Sequence, residues 1–542
     1  MHTYQSDILI IGGGLAGMVT ALELLNANKK VMILDRDIKS ELGGLAKWSF
    51  GGMFFVNTKH QQRNGVKDSI DLALKDWFSY ASFDEGEVWG KKWAEKYVHL
   101  CTDHGYHWLQ EQGVKFFRVL NWAERGLKGD GNTVPRFHMI WGTGWELAMV
   151  IRQCLLNHKN RHNLTLHFQH RVTDLIGNRS GVQGAKGIIE SSDQAFEAKA
   201  DVVVVATGGI NGNIEKVKEN WYKPWGEPPE VLLNGAHKFA LGDLHDATEA
   251  IEGSVVNLDK QWNYAAGIRH YQPRKPDHGL SLVPCKTSVW LNYEGKRMGP
   301  TPLVTAYDTR YLVERICQER KKYSWQVLNR KIALKEFAIS GSEHNAAIRE
   351  KKLFQFLKNI LFGNKALLNQ ILDKCEDMIM ADTLEELVEK MNALTGDNDV
   401  KLEHVAAAIE TYDRGIEKGP PYEDEQHRLI YNARKYRGDR VRTMNMAKIA
   451  DPKSGPFIAI RDFILSRKSL GGIQTDLQGR VLSQVDINGQ QQAISGLYAV
   501  GEAAGFGGGG MHGLRSLEGT FLGGCVITGR VAAYSILGKD LS

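Results

Sequence analysis

Asp7-Ile8-Leu9-Ile10-Ile11-Gly12-Gly13-Gly14-Leu15-Ala16-Gly17 runs through a helical stretch, Met18–Asn28, into Val31-Met32-Ile33-Leu34-Asp35. Ile8–Ile11 is an apolar, β-branched run, long enough for a buried strand and too short for a helix. Met18, Ala21, Leu22 and Leu25 recur at helical spacing, and Val31–Leu34 is a second apolar strand. The order is strand, G-x-G-x-x-G, helix, strand, acid. Gly12 makes the tight turn, Gly14 lets a pyrophosphate approach the backbone, and Gly17 lets the helix pack on the sheet. Free N–H groups at the helix start, around Ala16, carry the phosphate charge. Asp35, eighteen residues after Gly17, is placed to accept both ribose hydroxyls of an adenosine. A Gly-rich turn can be only a turn, but the complete unit predicts a dinucleotide site. Spacing alone does not separate FAD from NAD.

The chain has 542 residues, beyond the about 250–300 at which single cores stop growing, so two or more domains are expected. With 24% charged and 42% hydrophobic residues, disordered, collagen-like and fibrous classes are excluded. Lys+Arg 68 against Asp+Glu 63 is too even to imply nucleic-acid binding. Glycine is the outlier: 57 residues, many paired, point to loops wrapped around a ligand. Six cysteines form no C-x-x-C, which argues against a zinc, haem or iron–sulfur site and suits a reducing compartment. No metal is expected. Met1–Asp7 lacks a basic region followed by an apolar one. No apolar stretch approaches the roughly 20 residues that span a bilayer. The chain reads as cytoplasmic and soluble, without a transmembrane segment.

Later segments supply a resemblance. Gly43-Gly44-Leu45-Ala46-Lys47-Trp48-Ser49-Phe50-Gly51-Gly52 resembles the G-G-x-x-x-x-S-x-G-G loop that lies along FAD in the fumarate reductase and succinate dehydrogenase flavoproteins. The related 3-ketosteroid dehydrogenases share it. Asp201 to Gly209, ending Ala206-Thr207-Gly208-Gly209, looks like that family's strand beside the cofactor, and Gly471–Asp476 like its G-G-x-x-x-D hairpin. Gly496-Leu497-Tyr498-Ala499-Val500-Gly501-Glu502 is close to its G-L-Y-A-x-G-E, whose Glu binds the ribityl or ribose. Ser516-Leu517-Glu518-Gly519 to Gly524 resembles the closing loop and helix start, whose amides face the flavin pyrimidine. Five segments in the family's order imply FAD. Leu45 aligns with the His that attaches FAD covalently in some members, so noncovalent binding is expected.

The resemblance implies an α/β fold: a Rossmann-like FAD-binding domain built from both ends of the chain, residues 1–224 and 451–542. An α+β capping domain, 225–450, is inserted between them. It also implies that the Val172 backbone touches adenine, although a plain core valine fits the residue equally. A helical tract is expected from about 310 to 418. Within it Asp382 is expected to cap a helix that buries Leu384, Leu387, Val388, Met391 and Leu394.

The implied activity is hydride transfer at a CH–CH bond beside a carbonyl or carboxylate, by a dehydrogenase or an ene-reductase. A small-molecule substrate and an external electron carrier are its partners. Alternatives are a fumarate reductase-like dicarboxylate reductase, an oxidase-like flavoprotein and an electron-relay subunit. Gln261-Trp262-Asn263-Tyr264 has no counterpart of the dicarboxylate-binding H-P-T. His512-Gly513-Leu514-Arg515-Ser516 departs from H-G-x-N-R, putting Ser516 where the carboxylate-binding Arg belongs. The 3-ketosteroid dehydrogenase pattern fits better. Tyr307, in Ala306-Tyr307-Asp308, stands where that group has a Tyr base, and Gly519 keeps its carbonyl-binding Gly, but Arg515 replaces the Tyr of that loop. Tyr307 as a base needs a nearby cation, Arg310 or Arg515; a core aromatic with a bonded hydroxyl is the competing reading. Arg310 otherwise reads as a helix-face ion-pair residue, His512 as a FAD contact or structural, and His138 as a satisfied core histidine.

Overall fold

Two β-sheets organise the computed structural model, which describes residues 1–541. In the first, of ten strands, Ala493–Ala499, Val202–Val205, Ile8–Ile11, Val31–Leu34 and Leu164–His167 lie side by side in parallel. Val202 is opposite Ile8, Ile8 opposite Val31, and Val203 opposite Leu497. Ile8–Ile11 and Val31–Leu34 are buried along their whole length, as parallel strands covered on both faces must be. An antiparallel meander, His170–Asn178, Gly181–Ile189 and Gln194–Lys199, extends the sheet.

The two ends of the chain are locked together beneath this sheet. Helix Leu15–Asn26 lies against helix Thr520–Ile536. Contact is close because Gly529 has no side chain; a Cβ there would lie 2.8 Å from the Ala16 carbonyl oxygen. The Thr20 hydroxyl donates to the Gly529 carbonyl at 3.1 Å. Arg530 Nε donates to Glu23 Oε1 at 2.6 Å, with both residues buried. A buried pair of this kind is costly to break from one side.

The second sheet has eight strands. Its spine is Phe457–Ser469, flanked by Gln261–Arg269 and Tyr323–Asn329. Sequence reading ended the middle unit at 450, and the spine strand Phe457–Ser469 lies beyond that border. Ser324 to Asn329 pair with Asp462 to Phe457 in continuous register, so the strand to 469 belongs with the inserted segment. The expected helical tract is also broken. Tyr323–Asn329, Ala338–Ile339 and Met378–Ala381 are strands within it, because their residues fill a buried sheet. Helix Leu384–Thr395 is capped by Thr383, not Asp382: the Thr383 hydroxyl accepts from Glu386 N at 3.2 Å. Among the described residues no helix is long and apolar enough to cross a membrane. All six cysteines are free.

Candidate active site

One large cavity runs between the two sheets, and Asp35 and Glu502 both line it. At its first end the Gly-rich turn is held by steric necessity. Gly12 has φ +106°, and a Cβ there would lie 2.5 Å from the Ala206 carbonyl oxygen. A Cβ on Gly17 would lie 2.1 Å from the Gly12 carbonyl oxygen. Asp35 closes the turn: its two carboxylate oxygens accept from Gly13 N at 2.6 Å and Asp37 N at 2.7 Å. Burial pushes its pKa up, opposed by these two bonds. Each oxygen keeps a second lone pair for a ligand hydroxyl.

The second glycine loop forms the next stretch of wall. Gly51 has φ +84°, and a Cβ would meet Gly144 N at 2.5 Å. Gly144 in turn must stay bare, since a Cβ would lie 2.1 Å from both the Ala46 carbonyl oxygen and the Ser49 hydroxyl. The Ser49 hydroxyl donates to Ala46 O at 2.7 Å. Gly14, Ala16, Gly44, Ala46, Ser49 and Gly52 line the cavity, as do Val172, Ala206, Thr207 and Gly208. Glu502 accepts from Ser469 N at 3.0 Å, and burial raises its pKa to about 7.

Beyond the glycine loops the cavity is walled by the second sheet and the closing loop. Tyr264 and Glu518 lie there. The Tyr264 hydroxyl donates to Glu518 Oε1 at 2.6 Å, and Trp262 Nε1 donates to the same oxygen at 2.9 Å. Lys468 Nζ is 3.3 Å from the Tyr264 oxygen and 3.8 Å above the Phe521 ring. Burial lowers its pKa to about 8, while Glu518 pulls it back up. Burial and the Glu518 charge hold Tyr264 well above its ordinary value. Across the chamber, Glu124 bonds to Tyr80 and to Thr309, whose N–H donates at 3.0 Å. Burial and then Glu518 raise Glu124 to about 8. Gly519 caps the final helix with φ +99°, its would-be Cβ 2.7 Å from Phe54 N.

Comparison with known proteins places the chain in a family. Residues 7–522 match the family described as FAD binding domain. A KsdD-like steroid dehydrogenase of Mycobacterium tuberculosis is 41% identical over 546 residues, covering 97% of this chain and 95% of that one. The KsdD-like steroid dehydrogenase of Mycolicibacterium smegmatis is 40% identical, covering 96% of each. In fold, the chain is similar to 3-ketosteroid delta1-dehydrogenase from Sterolibacterium denitrificans, with TM-score 0.69 at 15% identity, covering 98% of this chain and 99% of that one. The chain belongs to the FAD-dependent dehydrogenases. It is an oxidoreductase acting on CH–CH donors.

The dehydrogenase's residues fit the cofactor: a bare-backbone cradle at Gly12 and Gly14, the doubly fixed Asp35, and a flat glycine-lined wall at Gly51 and Gly52 lie along one cavity. Gly17, Gly43 and Gly501 stand behind that wall. Gly43 N donates to Gly13 O at 2.9 Å, and Gly501 N to the Thr528 hydroxyl at 2.8 Å.

Four expectations for the closing loop and cap need correction. Ser516 and Leu517 are buried off the cavity, the Ser516 hydroxyl 3.0 Å from that of Thr520; Glu518 and Gly519 take their place on the wall. Tyr307 turns away from the chamber into a separate small pocket and donates to Leu429 O at 2.6 Å. Arg515 points off the cavity, pairing with Asp308 at 3.3 Å and donating to Ser82 Oγ at 2.9 Å.

Three other side chains considered from sequence are placed outside the chemistry. Arg310 is buried between the Tyr222 and Trp225 rings, 4.4 and 4.3 Å from their centroids. His512 packs on Trp77 and meets the Thr520 hydroxyl at 2.9 Å. His138 is buried and bonded at both nitrogens, 2.7 Å each, to Thr58 and Arg136. Among the described residues His270, Glu343 and His344 gather within 4.8 Å. His270 Nδ1 accepts from Gln272 N at 2.9 Å, which leaves the proton on Nε2 facing Glu343 and unfits it as a metal ligand.

Sequence reading missed Tyr264, Lys468, Glu124 and Glu518. The signal was partly present. Gln261–Tyr264 had been noted only for lacking the dicarboxylate-binding pattern, and that segment supplies both donors to Glu518.

Proposed function

We propose that this dehydrogenase oxidises a CH–CH bond beside the ring ketone of a steroid. The relatives at 40–41% identity are named steroid dehydrogenases, and Phe50, Phe137, Leu282, Val283 and Pro284 give the chamber an apolar wall. The observation that carries the reading is the Tyr264–Glu518 bond beside Gly519 in the cavity that holds the dinucleotide motifs.

Residues 1–224 and 470–541 form the Rossmann-like FAD unit in this reading, and 225–469 the cap. Asp35 would hold the ribose, the Gly12–Ala16 amides the pyrophosphate, the Val172 backbone the adenine, and the loop from Ala46 to Gly52 the ring. Leu45 stands in the wall without a nucleophile, so attachment is noncovalent. Bound FAD supplies the acceptor for a hydride from one substrate carbon.

The chain's own residues handle the carbonyl and the proton. The Gly519 amide, at the head of helix Thr520–Ile536, donates to the substrate carbonyl oxygen and stabilises the negative charge that grows there. Tyr264 takes a proton from the neighbouring carbon as its own hydroxyl proton crosses to Glu518. Lys468, beside the phenol oxygen, favours the transient negative charge on it. Glu124, at about 8, stays protonated at neutrality, so the chamber does not hold two facing anions. The electrons leave to an external carrier, and six free thiols support residence in the cytoplasm.

The test is anaerobic. A 3-keto steroid with a saturated bond next to its ketone is added to the FAD-loaded protein. Flavin bleaching that Tyr264→Phe slows at unchanged flavin content is expected; equal rates would remove Tyr264 from the mechanism.

A further inference from the structure

A second charged end of the chamber takes no part in the chemistry above. Lys286, Asp439 and Arg442 line the cavity where the turn after strand Gly279–Val283 meets the short helix Arg437–Arg442. Neither segment carries a dinucleotide-motif residue. Asp439 is already held by two cations, Arg125 and Lys286, the latter at 3.3 Å. The neighbouring Glu336 carboxylate is bonded by neutral donors: the Thr287 hydroxyl at 2.6 Å, Thr287 N at 3.2 Å and Met444 N at 2.7 Å. Arg434, which also faces Glu336, is tied to main-chain carbonyls. Four cations thus meet two carboxylates, and Arg442 is left over. Arg442 is exposed, and nearby protein lowers its pKa, with Asp439 and Glu336 opposing. Among the described residues it has no hydrogen bond and no ion pair, and it opens onto the cavity.

A guanidinium offers five donors and no acceptor, and those of Arg442 are unused within the described residues while the residue faces the cavity. Its planar fork matches a carboxylate, with the Lys286 ammonium beside it as a second donor. We propose that Arg442 and Lys286 form a subsite for a carboxylate on the substrate, at the end of the molecule remote from the reacting carbons. The proposal deepens the steroid reading and rests on it. It makes the preferred substrate an acid, whose rings lie along Leu282–Pro284 and whose tail ends at Arg442.

The probes are a 3-keto steroid with a side-chain carboxylate and its methyl ester, given to the FAD-loaded protein with a dye acceptor. Wild type is expected to prefer the acid by on the order of 10- to 100-fold in kcat/KM, the range for a charge-assisted pair. Arg442→Gln should remove that preference through KM, leaving the ester's rate and the flavin content unchanged, and Arg442→Lys should restore part of it. Equal use of acid and ester by wild type would overturn the subsite. So would a variant that slows both alike or loses its flavin. Turnover of neither probe would refute the steroid reading instead. Equilibrium binding then decides the subsite: acid but not ester perturbing the flavin spectrum, with loss in Arg442→Gln, supports it, and no such difference ends it.

Discussion

Replacing Glu518 by Gln removes one charge from the chamber and little of its shape. Glu518 Oε1 accepts from Trp262 and Tyr264, and the Gln carbonyl oxygen can accept both. Charge-assisted bonds are worth about 1.5–3 kcal/mol and neutral ones about 0.5–1.5, so two bonds lose roughly 2 kcal/mol together. Part returns because a neutral amide costs less to bury than a carboxylate. The expected net loss of stability is about 1 kcal/mol or less, with the fold and the flavin kept. Turnover responds differently, since the amide cannot take the Tyr264 proton: kcat should fall about 10²–10⁴-fold, the usual contribution of a positioned acid or base. The variant also has a pH signature. Glu518 raises Glu124, Lys468 and Tyr264 in the wild type, so all three should titrate at lower pH in Glu518→Gln. Stopped-flow flavin reduction across pH reads both effects. A variant with intact flavin, near-normal kcat and an unshifted profile would refute the proton role of Glu518.

Tyr307→Phe removes one hydrogen bond to Leu429 O and should leave kcat within about twofold while costing about 1 kcal/mol in denaturant unfolding; a large loss of rate would return Tyr307 to the chemistry. Gly17→Ala forces a Cβ against the Gly12 carbonyl and should yield protein whose flavin-to-protein absorbance ratio drops severely. His138, His245 and His512 are fully buried with pKa values down at about 3, 4 and 3 through burial. The unfolded chain gains these protons as pH falls below about 6.5 while the folded chain does not, so stability should be full above that and decline towards pH 3–4. Calorimetry showing a melting temperature independent of pH across that window would contradict this.

What was legible in the sequence is what backbone sterics dictate. Gly12, Gly17 and Gly51 sit where a Cβ would collide with main chain, so only one residue type fits and the motif survives as a string. The chamber side chains obey no such local rule. Tyr264 and Glu518 are 254 residues apart and meet because a cap strand and the closing loop face one cavity. The closing loop was misread by a few positions for the same reason: its charged residues alternate between wall and exterior, and nothing in the string says that Arg515 points outward and Glu518 inward. The border was read at 450, although Phe457, Ile458, Ile460, Phe463, Ile464 and Leu465 form a strand-like apolar run that pairs with strands lying well over a hundred residues earlier.

The lock between the first and last helices has a consequence for synthesis. A ribosome adding about 5–20 residues each second needs roughly 30–110 s to pass from the first of these helices to the second. For nearly all of that time the nascent strand–turn–helix lacks the partner that Gly529 and Arg530 belong to. The Gly-rich turn and its helix are therefore expected to gain their full support only once Gly529 and Arg530 have been made and have folded back.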